Sequence, residues 1–585
     1  MKNVKNIFEK CNLFLNKHKK VFLVIFVILI LARLWLFLTM NWSIEMDSYY
    51  DSRLEMNSAV SMGASEWGGD YSKFILCKGL AYPIFLTVLF FMRIPYPVGL
   101  FLLVVLSAFL FARSLKPVVK NDWLRKLIFL FILFNPVGMG GEMAYPYRNA
   151  LMPMVVLIIM SAILAVYLRR GARIKKLLPW GLVGLIFTGF FWNLREDSIW
   201  FLPFILVAAL ITILHFFIEH KKDKQISWKK KAAVCFIALM PLVSIFIWNT
   251  GISVANNNTY GIYTTQDRTK TYSAKALGAL IRIDDGADLE SDYWVSDEAL
   301  KLAKEVSPTL AGLNLKPFDD WSKVADYSIW AFRDSMAASG YYKDAKETDE
   351  VYKKIYDELE EGFKSGKLKR KNGVQLSDTS GLYSSNEMLK PIGTAFKSLI
   401  THAFYNEYKV ELQQLKNARN ESDIILYEDQ LGVNLLRSDE YLDKINANER
   451  ARRVNENLKG ILRKNKKITN GMVLIYNIIS PILLVVATIG IIARLVTMFT
   501  RKQFGDYNVE LLVFVLGIVA TILFYSYTVG LWGLGFDLTA DSDLFKSYTT
   551  PQTIMVSCIE VIGIICLVKT LQKGCDKKKI RRKKK

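Results

Sequence analysis

The chain has 585 residues, 52% of them apolar and 13% aromatic, with a mean hydropathy of +0.21. Several uninterrupted apolar runs approach or exceed the roughly 18 to 20 residues that cross a bilayer, which excludes a string of soluble domains. The net charge of +22 does not read as nucleic-acid binding either: residues 251–465 hold about three more acids than bases, so about 25 excess positive charges sit beside the apolar runs, where bases set orientation and meet anionic headgroups.

The first run, 21–40, follows a basic leader and lacks a small-residue cleavage site, so it reads as a retained anchor. Residues 79–92 are apolar but short, with Gly79 and Pro83 near the start and Arg93-Ile-Pro95 at the end. Counting them as a crossing would invert every later basic connector, so they are expected to form a juxtamembrane helix. Later runs at 97–112, 127–143, 150–168, 177–193, 198–219, 232–249, 468–498, 509–532 and 553–570 bring the expected total to about ten crossings.

The expected fold is therefore an α-helical polytopic membrane protein of the plasma membrane, with both termini cytoplasmic. An N-terminal membrane module, 1–250, contains a first outer loop at 41–78. An extracytoplasmic domain, 251–465, is expected to be mostly helical, with helical periodicity over 343–366, 387–416 and 434–464. The C-terminal membrane helices, 466–572, precede a basic cytoplasmic tail at 573–585. The six cysteines avoid 251–465 and form no CxxC pair, and the four histidines are scattered, so no metal site is expected. P-loop, dinucleotide, GxSxG and His-Glu-x-x-His patterns are missing from the sequence.

The first outer loop carries Glu45-Met-Asp47-Ser-Tyr49-Tyr50-Asp51-Ser-Arg53. In a helix, Asp47, Tyr50, Asp51 and Leu54 would share one face, and two carboxylates one turn apart repel, which raises the pKa of one. A carboxylate at the outer surface could deprotonate a hydroxyl as general base; the plainer alternative is an acidic, exposed loop that caps a helix. Arg148 and Arg195 fall at the expected outer ends of crossings, where the positive-inside bias disfavours arginine. Arg195 could pair with Glu196 or Asp197. Arg33 lies within the first crossing, where a charge is costly and faces a polar interior or snorkels. Trp330-Ala-Phe-Arg333-Asp334 would suit either a sugar-stacking surface or a core tryptophan with a surface ion pair. Asp537, Asp541, Asp543 and Tyr548 to Pro551 lie in the last outer loop, where Tyr-x-x-Pro would end one helix and open another.

The segments Asp47-Ser-Tyr-Tyr50, Gly63, Trp67 to Tyr71 and Lys78-Gly-Leu-Ala-Tyr82-Pro83 resemble the GT-C class of membrane glycosyltransferases, which includes protein O-mannosyltransferases and lipid A aminoarabinose transferases. The likeness is clearest over 20–205 and architectural beyond. With Arg195-Glu-Asp197 and Trp330 to Asp334 added, the set also looks like a group of bacterial multi-pass envelope proteins. The resemblance implies an inverting transferase that moves a sugar from a polyprenyl phosphate to an acceptor hydroxyl on an envelope glycopolymer, lipid or protein. It implies Asp47 or Asp51 as general base, Arg148, Arg195 and Lys78 on the donor phosphate, and Tyr50, Tyr82, Glu196 and Asp197 on substrate. Members of the class differ in using a divalent cation, so no cofactor follows. The loop departs from the class in showing Glu45-x-Asp47 where Asp-Asp or Asp-Glu is common, which leaves the base open. A non-catalytic scaffold of the same outline and a lipid or solute transporter are the rival readings.

Overall fold

The computed structural model describes residues 14–583 apart from 45–49, 222–226, 287–293, 321–324, 417–420, 503 and 506. In chain order, α1 (Lys19–Leu38) is followed by two shorter helices, α2 (Ser52–Gly63) and α3 (Ala81–Phe91). The short helix expected over 79–92 is α3. Then come α4 (Tyr96–Ser114), α5 (Asp122–Leu133), α6 (Met152–Arg169), α7 (Ile174–Trp192), α8 (Leu202–Glu219) and α9 (Trp228–Tyr260). The polar region contains α10 (Tyr327–Ala338), α11 (Ala345–Lys364) and α12 (Pro391–Thr401), with several shorter helices. A two-stranded antiparallel ribbon joins β1 (Val374–Gln375) to β2 (Leu382–Tyr383), Val374 facing Tyr383. The chain then returns through α13 (Glu449–Thr500), α14 (Asn508–Trp532) and α15 (Thr550–Lys583).

Among the described residues nine helices are long and apolar enough to cross a membrane: α1, α4, α6 to α9 and α13 to α15. The protein is an α-helical, multi-pass membrane protein. The apolar window of α6 is 100% buried and that of α1 only 17%, so α6 is the axis of the bundle and α1 lies at its lipid-facing edge.

The run at 127–143 does not form the continuous crossing expected of it. Its helix, α5, has 12 residues, about 18 Å at 1.5 Å per residue, little more than half the roughly 30 Å of hydrocarbon. Asn135-Pro136 stops it: proline has no N–H to continue the ladder, and the Asn135 side chain accepts from Val137 N instead. The chain goes on through 3-10 turns at Pro136–Gly138, Gly141–Ala144 and Arg148–Ala150, the first and third of them buried. Broken backbone at membrane depth requires protein partners for its carbonyls. Arg33, fully buried in α1, supplies them: Nε donates to Leu133 O at 2.9 Å and the guanidinium also donates to Gly138 O. Tyr476 of α13 donates to Phe131 O at 2.6 Å. The intramembrane arginine thus caps a broken helix.

Close helix contacts depend on glycine. A Cβ on Gly490 of α13 would lie 2.2 Å from the carbonyl oxygen of Gly563 in α15, so these helices touch backbone to backbone, as small residues permit in membranes.

The polar region has two parts. Residues 276–368 enclose a core of their own, built on Leu280, Phe332, Tyr352 and Ile355. By contrast Tyr405, Tyr408, Tyr427, Leu431 and Tyr441 join the core of the helix bundle. The helical segment expected over 343–366 is α11. That expected over 387–416 divides at Pro391 into Ser385–Leu389 and α12, and α12 leaves Ile392, Phe396 and Ile400 exposed on one stripe while its Ser398 bonds Gln552 at 2.7 Å. Positions 251 and 465 both fall within helices, α9 and α13, which run unbroken between bundle and polar region.

Candidate active site

The polar cluster of interest sits at the end of the bundle that faces the polar region. Asp51 occupies the N-cap position of α2, where an aspartate ordinarily accepts from the first-turn N–H groups. Its side chain makes no such bond. Instead Oδ1 accepts from Lys78 Nζ at 2.8 Å and from the Tyr147 hydroxyl at 3.2 Å. Lys78 is buried, with 3% of its side chain exposed against 53% for Asp51, so the pair offers its carboxylate to solvent. Lys78 Nζ and Arg148 Nε also donate to the Tyr147 hydroxyl, each at 3.1 Å.

Arg148 opens the 3-10 turn that leads into α6. Its Nη1 donates to both oxygens of Glu196, at 2.8 and 2.9 Å. Glu196 Oε1 also accepts from Gly79 N at 2.9 Å. Any side chain at 79 would collide here, since a Cβ would come within 2.2 Å of Asn193 O. Glycine is therefore what lets Lys78 lie against the 193–197 loop. Arg195 donates through Nε and Nη2 to the two oxygens of Asp197, at 2.9 and 2.8 Å, and through Nη1 to Asn149 at 3.0 Å. The Tyr548 ring lies 4.5 Å from its guanidinium carbon. From the polar region Arg268, paired with Asp326 at 3.0 Å, adds a further cation above the cluster.

These charges set the ionisation of the carboxyl groups. Burial acts to raise Asp51, but Lys78 and Arg148 outweigh it and hold the group below the usual carboxylate range. Burial likewise acts against ionised Glu196, and Arg148 overcomes it, to about 2. Glu55, one turn beyond Asp51, behaves in the opposite way. Its side chain has no exposure, neither oxygen has a hydrogen bond, and its nearest cation, Arg148 Nε, is 3.5 Å away. Burial therefore pushes it up to about 7.

Several sequence expectations change here. Asp47 lies outside the described residues. The helix begins only at Ser52, so Tyr50 and Asp51 do not share its face: Tyr50 donates to Asp334 at 3.0 Å and packs its ring on Trp330, while Asp51 turns to Lys78. The raised carboxyl is Glu55, and Asp51 is lowered. Tyr82 is fully buried and bonds the Tyr96 hydroxyl at 3.1 Å. Arg195 takes the local partner Asp197, whereas Glu196 serves Arg148. Lys78 is enclosed, with 3% of its side chain exposed. Trp330 is a core residue, and Arg333 does not pair with Asp334: it donates to Asp267 at 2.6 Å and to Lys73 O and Ile75 O, which clamps α10 onto the first loop. Sequence reasoning missed Glu55, Tyr147 and Arg268. Glu55 was within reach, being four residues after Asp51; the other two carried no local signal.

Between α8 and α14 an apolar cleft of about 340 Å³ runs from Trp200 and Pro203 to Thr212. Trp200 stacks on Tyr525 at 3.9 Å, and Tyr525 donates to Tyr548 O at 2.7 Å, so Trp200, Tyr525 and Tyr548 stand in turn between the cleft and Arg195. Among the described residues no group of three His, Cys, Asp or Glu side chains forms a metal site. No family model, no curated protein and no solved structure matches the chain.

Proposed function

We propose that the chain is a GT-C-like glycosyltransferase that moves a sugar from a polyprenyl phosphate to an acceptor hydroxyl on the outer face of the plasma membrane. The observation that carries this reading is the half-exposed Asp51 carboxylate set before the buried cations Lys78, Arg148 and Arg195, with an apolar cleft that suits an isoprenoid chain on the far side of Trp200, Tyr525 and Tyr548. In the reaction Asp51 (or Asp47) takes the acceptor proton, the acceptor oxygen bonds to the anomeric carbon, and the bond from that carbon to the phosphate oxygen breaks. The leaving phosphate needs fixed donors. Lys78 and Arg195 are the two whose carboxylate partners, Asp51 and Asp197, are partly exposed, so a phosphate can compete for them. Drawing Lys78 away would also release Asp51 from the cation that lowers it and so increase its basicity.

The test is native mass spectrometry of the purified protein with polyprenyl-phosphate sugars, followed by turnover assays. Wild type should retain such a lipid and Arg195→Ala should lose it. Either Asp51→Asn or Asp47→Asn should bind the lipid yet lose turnover by about 100-fold or more, the usual scale for a missing general base. Failure of wild type to retain any of a panel of such lipids would end the proposal. The bidentate closure of Arg148 by Glu196 favours a second reading, a non-catalytic scaffold; lipid retention without turnover by wild type would select it.

A further inference from the structure

The bundle holds a second set of polar groups, deeper than the cluster described above and centred on a buried glutamate. Glu560 is the eleventh residue of α15, about 16 Å along the helix from its start and thus near the middle of a roughly 30 Å hydrocarbon layer. It is fully buried. Its Oε1 accepts from the Ser480 hydroxyl of α13, and Oε2 has no partner. A carboxylate at that depth is costly and in membrane proteins marks an ion or proton path.

From Glu560 a run of hydroxyls leads toward the polar region: Ser557 and Thr553 on one face of α15, and Thr549 just before its first residue, spaced three and four residues apart. Ser557 bonds the Tyr405 hydroxyl at 3.2 Å and receives Asn135 Nδ2 at 2.9 Å, and it donates to Thr553 O at 3.3 Å. The Thr553 hydroxyl bonds His402 Nδ1 at 3.0 Å, and His402 Nε2 bonds the Thr549 hydroxyl at 3.1 Å. Thr549 donates to Phe545 O, so it accepts from Nε2–H, leaving Nδ1 to accept from Thr553. Burial, and then Lys546, push His402 down to about 3, which keeps the imidazole neutral and able to pass a proton from one nitrogen to the other. Tyr405 is hydrogen-bonded to Ser480, the donor to Glu560, as well as to Ser557, and so links the carboxyl to this run, which Ser557 joins at the Thr553 carbonyl. Next to Thr549, Tyr548 and Ser547 are half-buried, so the path opens at the floor of the Arg195 cluster.

The titratable groups that bear on Glu560 are Tyr405, Tyr476 of α13 and Cys558 of its own helix. Tyr476 also lies in the field of Arg33, the buried cation on its other side. No ion pair reaches Glu560 from α6 or α14 among the described residues. We propose that Glu560 binds and releases one proton within the membrane, exchanged with the outer side through Ser557, Thr553, His402 and Thr549. Loading adds one proton to the carboxylate and converts it to the acid; release returns that proton to the path.

The proposal is tested on the full chain in lipid nanodiscs by infrared difference spectroscopy of the carboxylic acid C=O stretch after pH jumps between about pH 5 and about pH 9. Glu55 titrates in the same range, so the signal is the difference between wild type and Glu560→Gln: an acid band that wild type loses at high pH and the variant lacks. Glu560→Asp should restore a titrating band at a shifted frequency, which guards against a misfolded glutamine variant. Thr553→Val should leave the final amplitude unchanged but slow its appearance at least tenfold. An acid band that persists unchanged in Glu560→Gln would overturn the site. A band whose amplitude follows sodium concentration and not pH would overturn the proton as its ligand, and an unslowed Thr553→Val would overturn the path. None of these readouts depends on a lipid-linked donor.

Discussion

At the scale of single residues the cluster is governed by which carboxylates have a cation in bonding range. Glu55 has Arg148 at 3.5 Å but accepts no hydrogen bond, and burial leaves its proton held more tightly in the folded chain (about 7) than at its ordinary value of 4.5. A group raised on folding stabilises fully below its unfolded value, and that contribution is lost as pH rises through the folded one. Wild type should therefore lose thermal stability between about pH 5 and about pH 8 by the equivalent of about 1–3 kcal/mol, and Glu55→Gln should lose much less. Melting curves at the two pH values decide it; parallel losses in both proteins would remove Glu55 as the cause. Gly79→Ala is expected to force the 78–80 backbone off the 193–197 loop, since its Cβ would meet Asn193 O. The measurable result is a lower Tm together with loss of lipid retention, whereas an alanine that leaves both intact would show that the loop yields freely.

At the scale of elements the broken α5 and the arginine of α1 form one unit. Replacing Arg33 by methionine fills similar volume but abandons two buried carbonyls, a change expected to destabilise the bundle by about 2–4 kcal/mol. Arg33→Lys should rescue little, because an ammonium lacks the planar fork that reaches both oxygens. A Tm for Arg33→Met within experimental error of wild type would refute the capping role. This unit also shows what sequence reading can and cannot extract. The apolar runs announced the helices, because a bilayer demands length and hydrophobicity of each crossing separately. Asn135-Pro136 carried a visible stop signal inside one such run, but its consequence depended on Arg33 and Tyr476, about 100 and 340 positions away in sequence. Likewise Arg148 and Arg195 stood out by type and place, while the choice of Glu196 for one and Asp197 for the other was settled by the approach of the Gly79 backbone and the Asn149 side chain.

At the scale of the whole molecule, the expected topology puts 251–465 outside the cell and the basic tail inside. A membrane-impermeant maleimide should label Ser365→Cys on intact cells, in a background where Cys11 and Cys575 are serine, and a cysteine placed in the basic tail should react only after the membrane is opened. Labelling of the tail on intact cells would invert the topology. Residue 365 is suitable because it is exposed at the end of α11.

The polar region is tied to the bundle by α9 and α13, of 33 and 52 residues, each continuous across the boundary. A helix resists bending where a loop does not, so these two act as struts, and the region cannot swivel freely as it would on a tether. A load applied to it, by an acceptor polymer under tension or a neighbouring protein, would be delivered as tilt of α9 and α13 within the membrane. Because Gly490 locks α13 against α15, that tilt would be shared with the helix that carries Thr553, Ser557 and Glu560.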